Sequence, residues 1–248
     1  MEEFKLPTEI IDLPSKGLLY PEGSELANGK IEMKYMTAKE EDILTNQNYI
    51  RNGTVIDKLL QSMIISKINF EDLLISDKDA IMIAARILGY GEHYTFSYLG
   101  EETTVDLTDL KDKEFDTSLI TSNTNEFHFQ LPHSKVNITF KLLTHGDEKK
   151  INRELEGLKK IKGNDIPEMS TRLKYIITSI NGNRDQKSVR EFVDNYLLAK
   201  DSRALRDYIV KVSPGIDLKV SFTTESGDVQ EDVTLPIGVS FFWPESGI

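Results

Sequence analysis

The sequence predicts an α+β protein made of two related units, each an amino-terminal β-hairpin, several helices and a closing β-ribbon. Three observations carry this. Residues 73–98, LLISDKDAIMIAARILGYGEHYTFSY, align without a gap to residues 197–222, LLAKDSRALRDYIVKVSPGIDLKVSF. Leu73, Leu74, Asp77, Ala80, Gly91 and Ser97 meet identical residues at Leu197, Leu198, Asp201, Ala204, Gly215 and Ser221. The physical pattern repeats with the letters. An acid opens each helix, and apolar positions share its phase, Ile81, Ala85 and Leu88 against Leu205, Ile209 and Val212. A glycine then ends it, suited to a left-handed backbone. Finally, period-two alternation follows each glycine, Tyr94, Phe96, Tyr98 and then Leu218, Val220, Phe222, as in a strand with one buried face.

The echo extends in both directions. Thr37 with Glu40, and Thr144 with Asp147, have the spacing in which a threonine caps a helix and an acid three residues on reaches back. Each follows an apolar strand, IEMKYM and VNITFKLL. Each unit opens on Leu-Pro and a polar cluster, Leu13-Pro14-Ser15-Lys16 and Leu131-Pro132-His133-Ser134-Lys135, and closes on a second ribbon strand at residues 104–107 and 232–235. Units this long indicate duplication of a domain, since solenoid repeats run about 20–50 residues. The division is residues 1–12 as an amino-terminal arm, 13–121 as the first unit and 122–248 as the second.

In chain order, Ile10 and Ile11 form a small apolar patch on the arm, between Pro7 and Pro14. Residues 18–20 and 31–35 read as the strands of the first hairpin. A helix capped at Thr37 places Ile43 and Leu44 inward. Asn52-Gly53-Thr54 stops it, and Val55, Ile56, Leu59, Leu60, Met63 and Ile64 then recur at helical spacing. A turn over residues 70–74 leads to the helix that both units share, capped by Ser76 or Asp77. Residues 111–126 lose periodicity and mark the boundary, with a cut near Ser122. Phe127, Phe129 and Leu131 then pair with Val136, Ile138 and Phe140. Helices follow over residues 149–160, 169–180, 188–198 and 201–212, the third opening on Ser188-Val189-Arg190-Glu191 as a capping box. The tail is β-rich and ends in Phe241-Phe242-Trp243-Pro244.

At 248 residues the chain can bury roughly 70–75% of its unfolded surface without staples. A formal charge of −11, from 41 acids and 30 bases, argues against nucleic acid or anionic lipid as the main partner, because both need a positive face. The run Lys149, Lys150, Arg153, Lys159, Lys160 and Lys162 is interleaved with Glu148, Glu154 and Glu156 and reads as a solvated helix face. With no cysteine there are no disulfides or thiolate metal sites, and a cytosolic compartment is expected. No apolar run reaches the ~18 residues of a membrane span, and MEEFKLPTEIIDLPSKG lacks the features of a signal peptide.

No catalytic motif is present. The chain lacks a Gly-x-Ser-x-Gly elbow, a phosphate-binding glycine loop, His-Glu-x-x-His and a dinucleotide fingerprint. Ser15-Lys16-Gly17 lacks the upstream glycine and following helix of a phosphate loop. His145 and Asp147 could offer two metal ligands, but they overlie the capping box and lack a second pair. Many carboxylates are available for acid–base work, and nothing in the sequence selects a pair. The candidate sites are therefore surfaces. Ile10, Ile11 and Tyr20 at the amino end and Phe241, Phe242 and Trp243 at the carboxyl end are the candidates for holding a partner, with core packing as the alternative for the aromatics.

LPSKGLLYP, Met-Lys-Tyr-Met-Thr-x-x-Glu-Glu, the helix end with Arg86, Tyr90 and Gly91, the helix start with Asp201, Arg203, Leu205 and Arg206, and the closing Phe-Phe-Trp-Pro together resemble the baseplate hub and hub assembly proteins of T-even-type contractile-tailed bacteriophages. The resemblance covers almost the whole chain. It implies a non-enzymatic tail protein that binds other baseplate hub proteins during assembly in the host cytoplasm, with self-association as a further option. A permanent hub subunit is the alternative, a tail-borne cell-wall hydrolase the enzymatic rival, and an acidic mimic occupying a basic host protein a third. The resemblance also implies zinc-ribbon-like closing hairpins. Where relatives carry Cys-x-x-Cys, this chain has Leu99-Gly100-Glu101-Glu102 and Thr223-Thr224-Glu225-Ser226-Gly227, so a fold with no metal and no cofactor is expected. A lone hairpin is marginal in water, so each ribbon should lean on its neighbouring helices.

Overall fold

A computed structural model describes residues 6–120, 124–163, 165–224 and 227–242. The first hairpin uses a different strand from the expected one. β1 (Thr8–Asp12) pairs antiparallel with β2 (Lys30–Lys34), while residues 14–20 form a run of turns. Leu19 and Tyr20 are both buried. Consecutive buried side chains do not suit a strand covered on one face. The expected arm therefore contributes β1, with Ile11 against the core and Ile10 outward. Gly17 turns the chain at φ +77°, and a Cβ there would lie 2.3 Å from the Ala27 carbonyl oxygen.

α1 (Ala38–Leu44), α2 (Gln47–Arg51) and α3 (Val55–Met63) follow. Thr37 caps α1, and the fully buried Glu40 gathers this region together. Its carboxylate accepts from the Thr37 N–H (3.0 Å) and Oγ1 (2.6 Å), from Lys34 Nζ on β2 (2.8 Å) and from Ser62 Oγ on α3 (2.6 Å). α3 buries Val55, Leu59, Leu60 and Met63, the stripe its spacing predicts.

After a 3-10 turn (Phe70–Asp72), α4 (Ile75–Tyr90) runs through the core, with residues 80–86 all buried. Such a helix is enclosed rather than laid on a surface. Leu74 is its cap, and Asp77 is the third helical residue, free to reach outward. β3 (His93–Tyr98) and β4 (Glu101–Asp106) form the first ribbon. Leu99 and Gly100, both at positive φ, make the two-residue turn whose twist matches the strands. β5 (Lys111–Asp112) then leads toward the expected boundary. The cut near Ser122 lies outside the described residues.

β6 (Phe127–Gln130) and β7 (Asn137–Phe140) are joined by a third strand, β8 (Ile177–Ile180). α5 (His145–Lys162) and α6 (Glu168–Ile176) come between. The helix expected over residues 169–180 thus stops at Ile176. Its β-branched continuation, Ile177-Thr178-Ser179-Ile180, instead pairs with the open edge of β7, burying Ile177 and Ser179. α7 (Gln186–Asn195) is capped by Asp185, whose carboxylate accepts from the N–H and Oγ of Ser188 (2.9 and 2.8 Å), so the expected Ser188 cap moves three residues upstream. α8 (Ala199–Val212) ends before Pro214, which cannot continue a helix. Gly215, at φ +158°, lies beyond that end and does not make it. β9 (Ile216–Asp217), β10 (Lys219–Thr223) and β11 (Val229–Thr234) follow, with β10 and β11 as the second ribbon.

Asp77 and Asp201, the third residues of α4 and α8, are both buried, and each receives one Leu-Pro turn. The Asp77 carboxylate accepts from the Ser15 N–H (3.0 Å), Ser15 Oγ (2.6 Å) and Tyr20 hydroxyl (2.6 Å). The Asp201 carboxylate accepts from the N–H groups of His133 (2.8 Å) and Ser134 (2.9 Å). Charge at the first turn of a helix also meets the positive end of its dipole. The balance differs between the two: burial pushes Asp77 up, whereas for Asp201 burial is outweighed by the bonds from His133 and Ser134, which hold it below the usual carboxylate range.

One hydrophobic core runs through both halves. β5 pairs with β9, and an isolated bridge joins Leu74 to Thr144. The ribbons lean on each other, and the first also meets α4. Phe222 meets Phe96 (5.7 Å) and Tyr98 (5.4 Å) edge-on, and Tyr94 meets Phe241 (4.8 Å). Phe241 in turn contacts Phe242 (5.4 Å). Arg86 of α4 stacks over Tyr90 and Tyr94 at the ribbon base.

Candidate functional site

The residues expected to hold a partner do not form one surface. Ile10 is 64% exposed on β1, and Ile11 is half-buried. Tyr20 is 3% exposed, donating to Asp77 and accepting from the Leu74 N–H (3.0 Å). Phe241 and Phe242 are fully buried in a 3-10 turn (Ser240–Phe242), where face alternation does not apply. Core packing accounts for both rings. Trp243 lies outside the described residues.

A groove of about 880 Å³ lies elsewhere, between α6, α7 and the start of α8. Leu173 and Val193 form its buried floor, Ile176 and Leu197 are half-buried, and Met169 stands 54% exposed at the lip. Its walls are held by ion pairs. Glu148 on α5 grips Arg172 through two bonds (2.7 and 2.8 Å), and Glu154 grips Arg190 through two (both 2.8 Å) while accepting from the Tyr175 hydroxyl (2.9 Å). Paired geometry of this kind fixes orientation as well as charge. The Arg190 bond, with Tyr175, holds Glu154 below its usual range despite burial.

A second concavity of about 590 Å³ lies between α3 and α5. At its base His145, 4% exposed, places Nε2 3.3 Å from Asp57 Oδ2 and Nδ1 3.3 Å from Lys78 Nζ, with Phe70 edge-on at 4.7 Å. The ring thus bridges the Asp57 carboxylate and the Lys78 ammonium through its two nitrogens. Burial pushes Asp57 up, but the bonds from His145 and Lys78 (2.6 Å) outweigh it and leave the carboxyl below its usual range. These groups spend their polar atoms on one another and clamp α3, α4 and α5 together. Asp147 points to a different duty, accepting from Thr144 and pairing with Lys141 (2.7 Å).

Among the residues lining the first groove, Glu168 is the one carboxylate, and it pairs with Arg172 (3.4 Å). Asp79 is pushed up to about 6 by burial, with Lys78 and Lys113 pulling the other way, and it lines neither space. Glu92, His93 and Asp106 bring three possible ligand atoms within 4.8 Å at the base of the first ribbon. Two of these residues are exposed, and Asp106 already accepts from Thr108 N–H (2.8 Å) and Oγ1 (2.6 Å). Among the described residues no helix is long and apolar enough to cross a membrane.

The groove was not legible as a site in the sequence. Leu173 and Val193 fall inside the helices expected over residues 169–180 and 188–198, and only folding shows that α6, α7 and α8 leave a gap above them. A signal did exist in the polar-apolar stripe of α8, where Arg203, Arg206 and Val210 fall on one face.

Fold and site together define an acidic α+β protein with an open, largely apolar groove between α6, α7 and α8. Compared with protein families, the chain matches the T4 bacteriophage base plate protein family over residues 9–243. It belongs to this family of phage baseplate proteins. No curated protein and no solved structure gives a significant match.

Proposed function

We propose that the protein is a non-enzymatic assembly factor for the central hub of the phage baseplate, working in the host cytoplasm by holding other hub components. Family membership supplies the setting. The observation that supports the reading is the groove between α6, α7 and α8, which offers an apolar floor and a charged frame, its one lining carboxylate, Glu168, being paired with Arg172. Binding without transformation needs only such a surface. The tandem-unit organisation is part of the same proposal, supported by the matched Asp77 and Asp201 sockets. Superposing residues 13–121 on 122–248 in an experimental structure tests it, and unrelated chain paths would remove it.

Co-expression of tagged protein with baseplate hub proteins, followed by mass spectrometry of finished particles, tests the function. An assembly factor is recovered with hub components yet absent from particles. Fixed stoichiometry in particles makes it a permanent subunit instead. Peptidoglycan cleavage abolished by one carboxylate substitution would make it an enzyme.

A further inference from the structure

We infer that the groove between α6, α7 and α8 receives an amphipathic helix of a partner protein, and that the flank of this helix is acidic. This rests on the reading that the protein holds other proteins, and it adds the chemistry of what is held. The apolar part is given by Leu173, Val193, Ile176 and Leu197, with Met169 standing out at the lip. Helix-in-groove recognition needs such a trough for anchors at i, i+3 or i+4, and i+7.

The charge argument comes from α8. Ala199, Arg203, Arg206 and Val210 share one face at helical spacing, and Ala199 and Arg206 line the groove. That face is exposed, Val210 by 71%. Among the described residues, Lys200, Arg203 and Arg206 enter no ion pair, and Arg206 donates only to the Ser202 carbonyl. Among the described residues Asp207, four residues beyond Arg203, enters no ion pair either. Arg172 across the groove differs, since Glu148 and Glu168 already satisfy it. A chain with formal charge −11 repels acidic partners on average. This edge reverses the sign locally, beside the apolar trough. An incoming helix with carboxylates on its flank would be steered there and could take up the free guanidinium forks.

Fluorescence anisotropy on the full chain tests this with two labelled synthetic peptides. Both carry the same leucine face at i, i+3, i+4 and i+7, one with glutamate flanks and one with lysine flanks. The glutamate peptide should bind at least about tenfold more tightly, and the preference should shrink in about 0.5 M salt. Met169→Asp should abolish binding. Arg203→Glu with Arg206→Glu should weaken the glutamate peptide more than about tenfold and favour the lysine one. These side chains lie at the lip and outer face, so unchanged circular dichroism and urea midpoints certify the variants.

Equal binding of the two peptides, binding that survives Met169→Asp, or no binding overturns the inference. So does a solution dimer that dissociates on Met169→Asp, because a second copy then fills the groove. Recovery of hub proteins by wild type and variants alike leaves the assembly reading standing and removes this one. Failure of the wild type to recover any hub protein removes the assembly reading, and the peptide result then decides the groove alone.

Discussion

Replacing Glu40 with glutamine should cost about 3 kcal/mol at pH 7, and most of that cost should vanish in acid. Glu40 is fully buried and accepts four hydrogen bonds from β2, from the α1 cap and from α3. Burial alone would raise its pKa, but the bonds from Lys34, Ser62 and Thr37 outweigh burial and hold the carboxyl near 2, against 4.5 when unperturbed. A folded-state value below the unfolded one means that the stabilisation is complete above the unfolded pKa and is lost as pH falls through the folded one. The gap between the two corresponds to about 3 kcal/mol at neutral pH, with somewhat over 1 kcal/mol remaining at pH 3. Glutamine keeps the shape but removes the charge that Lys34 and two hydroxyl donors are turned toward. Urea unfolding of wild type and Glu40→Gln at pH 7 and pH 3 isolates this group, since other carboxyls titrate in both proteins. The stability difference should narrow by about 2 kcal/mol between the two pH values. A difference that is small at pH 7, or equal at both pH values, would refute the reasoning.

The two aspartate sockets should respond differently to the same change. Asp77→Asn should alter stability by under about 1 kcal/mol, because Ser15 and Tyr20 hydroxyls can turn to accept from the new amide. Asp201→Asn should cost about 1–3 kcal/mol, since one backbone N–H of His133 or Ser134 must then face another donor. Equal urea midpoints for the two variants would contradict this. Gly17→Ala should lower stability by more than about 2 kcal/mol, combining a left-handed backbone with overlap on the Ala27 carbonyl; a thermal midpoint within a degree of wild type would count against it. Phe241→Ala should cost about 3–5 kcal/mol by removing a fully buried ring from Tyr94 and Phe242. A loss under about 1 kcal/mol in urea would return Phe241 to the list of surface anchors.

Several elements were legible because their signals are local. The stripe of α3, the capping box at Thr37 and the alternation of Tyr94, Phe96 and Tyr98 depend on rotation per residue, which neighbours in sequence already define. Other readings failed where a distant element intervened. Leu18 and Leu19 lost the hairpin to Thr8–Asp12, and the helix through Ile176 gave way to a strand because β7 offered a free edge. The site readings were weaker still. An isolated run such as Phe241-Phe242 is equally apolar as an anchor and as core, and the cover over it decides which.

From its residues alone, the chain determined an α+β class, an acidic character and most helix stripes, which follow from composition and short-range periodicity, while the baseplate resemblance rested on the order of short motifs along the chain. Only the tertiary structure decided that Tyr20, Phe241 and Phe242 are buried, that the ribbons lean on each other, and that an open groove remains beside unpaired arginines. Exposure and juxtaposition belong to pairs of surfaces far apart along the backbone, and their relation is set only when packing brings them together.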